Sequence, residues 1–233
     1  MAVVTVFAAA PAPGHAALQA RSLDGANATV EAYYDTLLDI TWLADFRSQQ
    51  ALLSWSGAMS WAAQLQAGGV TGWRLPTVSP VSGGSFLLTG TNNGSTDAGT
   101  AAAGIGWGTR SELGHLYYVT FGLTGKCQPN NAAPSSCVTP AAYDSTPDLS
   151  PLKHVGLNMG YWTGTLVNNN NSALAFLFSE GRQGTGSLGI QAYAVAVHAG
   201  DVGVAPVPEP ATAASLLGGL ALLGAVMRRR RSA

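Results

Sequence analysis

Few side chains in this 233-residue chain have the type and spacing to do chemistry. Cys127 and Cys137 are separated by nine residues that include Pro129 and Pro134. Zinc sites use closely spaced Cys pairs backed by a second ligand pair, and His115 and His154 are not placed to supply one. In an oxidising compartment the two cysteines read as one local disulfide that fixes a loose excursion, although the loop is too short for a large entropic gain. His115, His154 and His198 fall on separate expected elements. One of them, joined to Ser111 or a carboxylate, would make a hydrolase. No serine, however, sits in a nucleophile elbow, so no catalytic residue is assigned and the chain is expected not to be an enzyme. Trp73-Arg74 offers an indole face for a sugar ring beside a guanidinium donor. The competing reading puts Trp73 in the core and pairs Arg74 with a carboxylate to lock a turn.

Several elements would have to position these residues. Residues 32–42 (AYYDTLLDITW) predict strand, turn at Asp35-Thr36, and strand, with Ile40 and Trp42 on one face. Ser54 is a candidate N-cap for a helix in which Ala58, Trp61, Ala62 and Leu65 recur at helical spacing, ended by Gly68-Gly69. A tight aromatic turn, residues 71–77, follows. Residues 79–108 are rich in Gly, Ser, Thr and Asn and predict a long, partly mobile loop. A second helix is expected from Thr109, which has capping-box spacing to Glu112, with Leu113, Leu116 and Tyr117 inward. The C-terminal part reads as strands at 160–163, 173–179 and 192–198, with a polar hairpin tip at 168–171. Two helices, short strands and long loops make an α+β domain. Trp42, Trp55, Trp61, Trp73 and Trp162 are expected to form its framework.

Both ends of the chain differ from this middle. Residues 211–227 carry no charge, with Thr212 and Ser215 as the only hydroxyls. As a helix they would span roughly 25 Å at ~1.5 Å per residue, slightly less than a ~30 Å hydrocarbon core. Arg228, Arg229, Arg230 and Arg231 follow and would hold the tip on the cytoplasmic side. Pro210 precedes the run, where a helix can begin without a missing N–H. Residues 1–16 read as a signal peptide with a small-x-small cleavage site at Gly14-His15-Ala16 but a truncated basic region, since no Lys or Arg precedes Arg21. The stretch between, residues 17–206, is one domain's length. It holds seven basic and eleven acidic side chains, a formal charge near −4. That balance argues against a nucleic-acid partner. The four tail arginines bring the whole chain to −1.

The ordered sequence Pro208-Glu209-Pro210, apolar run and arginine cluster resembles the PEP-CTERM sorting signal, over residues 207–233. The resemblance implies export, retention in the inner membrane by the tail, recognition by an exosortase-type enzyme, and delivery to the surface or matrix of a Gram-negative cell. A second resemblance covers about residues 32–201. Asp39-Ile40-Thr41-Trp42, Met59-Ser60-Trp61-Ala62, Gly72-Trp73-Arg74-Leu75-Pro76-Thr77, Ser111-Glu112-Leu113, Tyr161-Trp162-Thr163-Gly164 and Ala192-Tyr193-Ala194-Val195 are similar to a bacterial surface domain found at the C-terminus of a collagen-like adhesin. It implies a C-type-lectin-like fold and polysaccharide or matrix as partner. That family's Val-Arg before the final Gly-Asp is here Val197-His198-Ala199-Gly200-Asp201. Gln128-Pro129-Asn130 also resembles the sugar-binding loop of calcium-dependent lectins, where side-chain oxygens hold Ca²⁺. The companion Trp-Asn-Asp strand motif is absent. Trp73, Arg74, Gln128 and Asn130 are therefore the candidate ligand contacts, with Asp144 and Asp148 nearby as solvated carboxylates. No metal is assigned, and Ca²⁺ is the one cofactor the resemblance offers.

Overall fold

The computed structural model describes residues 18–25, 29–46, 51–130 and 133–204, of which 129–130 and 133–136 by their backbone only. The two ends of this body meet in one antiparallel sheet. Strands β1 (Leu18–Arg21), β2 (Ala32–Asp35) and β3 (Ile40–Leu43) run consecutively, and β9 (Val197–Ala199) adds to β3. Asp35 builds the β2–β3 turn: its Oδ1 accepts the N–H groups of Leu37 and Leu38 at 3.0 and 3.1 Å. Asp39 completes the turn in the left-handed conformation that aspartate tolerates. All four residues of β3 are buried. Ile40 and Trp42 face the main aromatic core, while Leu43 packs with Trp73 and Ala196 on the other side. The sheet is thus covered on both faces.

Helix α1 (Trp55–Gln64) begins at Ser54, whose hydroxyl accepts the Gly57 N–H at 3.3 Å. Ala58 and Ala62 press against Trp162, Leu75 and Ala194. Gly68 and Gly69 follow with φ of +56° and +84°. A β-carbon on Gly68 would lie 2.5 Å from Leu23, so glycine is required there twice over.

The second helix starts later than its sequence implies. Ser111, not Thr109, is the N-cap, and its Oγ accepts the Gly114 N–H at 3.0 Å. Glu112 does not reach back to close a capping box, because its carboxylate serves Arg74 and Thr77 instead. Helix α2 (Glu112–His115) runs directly into a π turn over Leu116–Thr120, which buries Leu116, Tyr117 and Tyr118.

The disulfide-closed hairpin β4 (Gln128–Asn130) and β5 (Ala133–Val138) follows. The three-stranded sheet β6 (Tyr161–Val167), β7 (Ser172–Leu177) and β8 (Arg182–Ser187) then completes the second half. Asn168, Asn169 and Asn170 take left-handed φ at the β6–β7 tip, a conformation asparagine accepts more readily than most residues. Residues 192–196, expected as part of a strand, instead contribute single bridges. Ala192 bonds to Leu53, and Tyr193 bridges Tyr161. The architecture is α+β, with two short helices and antiparallel sheets.

No helix among the described residues is long and apolar enough to cross a membrane. The expected leader 1–16, the motif Pro208-Glu209-Pro210, the apolar run 211–227 and Arg228–Arg231 lie outside the described residues.

Candidate functional site

Trp73 and Arg74 sit on a segment stitched to β9, since Arg74 and Val197 exchange backbone hydrogen bonds at 2.9 and 2.8 Å. That pairing drives the indole inward. Trp73 is 3% exposed, its Nε1 donates to the Val70 carbonyl at 3.0 Å, and its ring meets His198 edge-on at 5.7 Å. No face remains for a sugar. Arg74 donates Nη1 to Glu112 Oε2 at 2.8 Å and Nη2 to Oε1 at 2.7 Å, a two-pronged pair. Nη1 also donates to the Leu75 carbonyl, and Glu112 Oε2 also accepts the Thr77 N–H at 2.7 Å. The hydrogen bond to Glu112 raises the Arg74 pKa above its ordinary value against the opposing effect of burial. Trp73 is thus a core residue, and Arg74 locks the 72–77 turn onto the second helix.

The calcium-type loop is likewise committed elsewhere. The Gln128 amide donates to the Ala101 carbonyl at 3.0 Å. The Asn130 side chain lies outside the described residues. Asp144 accepts the Thr146 N–H and hydroxyl, and Asp148 accepts the Ser150 N–H, which holds the Asp148 carboxyl below its usual range. No cluster of three His, Cys, Asp or Glu among the described residues is placed to hold a metal. Cys127 and Cys137 form a disulfide with Cα atoms 4.6 Å apart.

The three described histidines remain on separate elements. His115 is buried, with Nδ1 3.1 Å from the Gly108 carbonyl. His154 Nδ1 faces Asp45 Oδ2 at 3.0 Å in an exposed pair, and His198 Nδ1 faces the Ala199 carbonyl.

Two concavities lie among the described residues, and no motif in the sequence points to either. A shallow groove of about 210 Å³ lies on the β6–β8 sheet, lined by Gly160, Ala175, Leu177, Arg182, Gly184 and Thr185. A β-carbon on Gly184 would meet nothing within 4 Å, so the missing side chain opens the floor of the groove. Arg182 lies at its edge with the guanidinium 3.1 Å from Glu180. The readable signal was Arg182-x-Gly184-x-Gly186, but that run lacks the apolar alternation that marks a strand. A larger cleft, about 410 Å³, lies between residues 29–31, the end of β3, and the segment after α1.

Comparison with known proteins locates the remaining functional element. The description "PEP-CTERM protein-sorting motif" matches residues 206–231. This motif marks a protein recognised by an exosortase-type enzyme and sorted through the membrane to the cell surface. No curated protein and no solved structure matches the chain.

Proposed function

We propose that the chain delivers a non-enzymatic, C-type-lectin-like domain to the surface or matrix of a Gram-negative cell, where the domain binds extracellular polysaccharide. The sorting motif at residues 206–231 carries this reading, because it commits the protein to the compartment where such polymers lie. The order of elements supports the lectin-like fold. N- and C-terminal strands share one sheet, two helices follow the first strands, and a three-stranded antiparallel sheet with long loops completes the body. The tail acts as a transient inner-membrane anchor, with the apolar run 211–227 inserted and Arg228–Arg231 on the cytoplasmic side.

With Trp73, Arg74 and Gln128 held internally, the β6–β8 groove is the binding surface. Arg182 and Thr185 supply donors there, and the open position at Gly184 lets a polymer lie against the backbone. The reading needs no Ca²⁺. A glycan array and a pull-down on the producer's own exopolysaccharide, both with the full chain, test it. Binding should survive chelation and fall about tenfold or more (≥1.4 kcal/mol) in Arg182→Ala and Gly184→Leu. No binding in either assay removes the ligand.

A second reading, a structural envelope component without a specific ligand, is favoured by one observation. Trp42, Trp73, Trp107 and Trp162 are each at most 4% exposed, leaving none of these four rings to stack on sugar. Deletion that alters matrix mechanics, together with a silent glycan array, would establish it.

A further inference from the structure

The tail leaves the body beside the larger cleft. Val204 and Ser22 exchange backbone hydrogen bonds at 2.8 and 2.9 Å. The two-pronged pair between Arg21 and Asp201, at 2.6 and 2.7 Å, fastens the same closure. From Ser22 the wall of the cleft is one residue away. Leu23 and Asp24 donate their N–H groups to Glu31 Oε2 at 2.8 and 3.2 Å, and Gly68 lies against their backbone. Glu31 and Gly68 both line the cleft, whose apolar side is Val30, Leu43, Leu65 and Ala67. Its 410 Å³ lies within the range of ligand sites, roughly 300–1,000 Å³.

Lys153 closes the other side of the cleft. Its position is fixed by backbone bonds in both directions, its N–H to the Ala44 carbonyl at 2.8 Å and its carbonyl from the Phe46 N–H at 3.0 Å. The side chain is exposed, and its ammonium has no ion-pair partner among the described residues. Among the described residues two carboxylates line the cleft. Glu31 is occupied by its two N–H donors, and Asp45 faces His154.

The chain beyond Val204 begins Ala205-Pro206-Val207-Pro208-Glu209-Pro210. It is apolar except for Glu209, the only acid after Asp201. Prolines at alternate positions favour an extended backbone that loses little entropy on docking. Five residues reach up to about 17 Å, against a wall that starts next to the strand pairing itself.

We propose that this cleft is the docking site for the chain's own segment 205–210, with Pro206 and Val207 on the apolar wall and the Glu209 carboxylate on the Lys153 ammonium. In the docked state the folded body covers one side of Pro208-Glu209-Pro210. This inference is independent of polysaccharide binding, since it concerns a different face of the body and a partner within the chain.

A zero-length carbodiimide cross-link in the full chain, held in detergent micelles and read by peptide mass spectrometry, tests it. Lys126 is the only other lysine and provides an internal control, being engaged with Glu180 at 2.8 Å. The expected product is a Lys153–Glu209 amide. Its yield should not change with protein concentration, and it should exceed any Lys126–Glu209 product by about tenfold, as an intramolecular contact should. Ala67→Trp, which fills the cleft from a half-buried position, should abolish it while the far-ultraviolet circular dichroism stays native. Three results would overturn the proposal: Lys153 amides formed only with Glu31 or Asp45, equal yields from the two lysines, or a yield that rises with concentration and so reports a second copy.

Discussion

Two excursions leave the body, and they are held by opposite means. The hairpin at 128–138 is closed covalently by Cys127–Cys137, and Cys137 and Val138 are exposed. The longer stretch, 79–108, has no covalent tie and is anchored from within. Buried Asp97 accepts the Val81 N–H on Oδ1 at 2.8 Å and the Leu87 N–H on Oδ2 at 2.7 Å. Buried Gln183 donates to the Asp97 carbonyl and accepts the Ser111 hydroxyl, which ties the loop to β8 and to the cap of α2. Trp107 plugs its base, edge-on to Tyr118 and Phe176, with Nε1 on the Thr96 carbonyl at 2.7 Å. Gly99 passes so close to Thr91 that no β-carbon would fit. The two excursions meet at their roots, where Thr100 donates to the Cys127 carbonyl and Gln128 to that of Ala101. A polar, glycine-rich composition is therefore compatible with a firmly organised loop once a few buried groups satisfy its backbone.

Breaking the internal anchors should cost the whole fold, and breaking the covalent one should cost mostly the hairpin. The largest effect is expected from Trp107→Ala. It empties an aromatic socket and should lower unfolding free energy by about 3–5 kcal/mol in a denaturant titration. Asp97→Asn comes next. One carboxylate oxygen becomes an amide NH2, a donor facing a backbone N–H donor, so a loss of about 2–3 kcal/mol is expected. Hydrogen exchange should accelerate at Val81 and Leu87. A native exchange pattern at those two amides would refute the anchoring role.

The paired substitution Cys127→Ser with Cys137→Ser should cost about 3 kcal/mol, the loop-closure entropy of so short a ring. Faster exchange should be confined to 128–138. A matching acceleration across 79–108 would show that the hairpin carries the longer loop. The mildest test is alkaline titration, silent at neutral pH. Burial pushes the Tyr118 phenol above its ordinary range, against the Ala101 N–H it accepts, and burial raises Tyr117 likewise. The folded chain keeps protons that unfolded tyrosine releases near pH ~10. Stability is then complete below about pH 10 and declines as pH rises further. Absorbance at tyrosinate wavelengths should therefore rise together with unfolding. Full tyrosine ionisation in a still-folded chain would contradict the burial.

Some of this was legible along the chain and some was not. The hairpin of β2 and β3, the Ser54 cap and the Asn-rich tip were readable because each depends on residues within a few positions of one another. The start of the second helix was not, because Glu112 had two possible partners. The capping box lay three residues away, whereas Arg74 lay 38 residues away and presented a matched pair of donors. Strand β8 was missed because Arg-Gln-Gly-Thr-Gly-Ser has no apolar alternation, its burial depending on Gln183 reaching Ser111 and Asp97. Trp107 lies in a stretch whose polar composition reads as surface loop, yet it is 4% exposed and packs in the main core.

The sequence by itself determined where this protein goes. A sorting signal is an ordered string of residue chemistries, Pro-Glu-Pro, an apolar run and arginines, and needs no long-range contact to be read. Only the tertiary structure decided what the chemically suggestive residues do. Trp73, Arg74 and Gln128 look like ligand contacts in isolation, and each is claimed by a partner distant in sequence or by the core. The physical reason is that a buried polar side chain must satisfy the unpaired groups that packing brings beside it, and those come from distant parts of the chain rather than from its sequence neighbours.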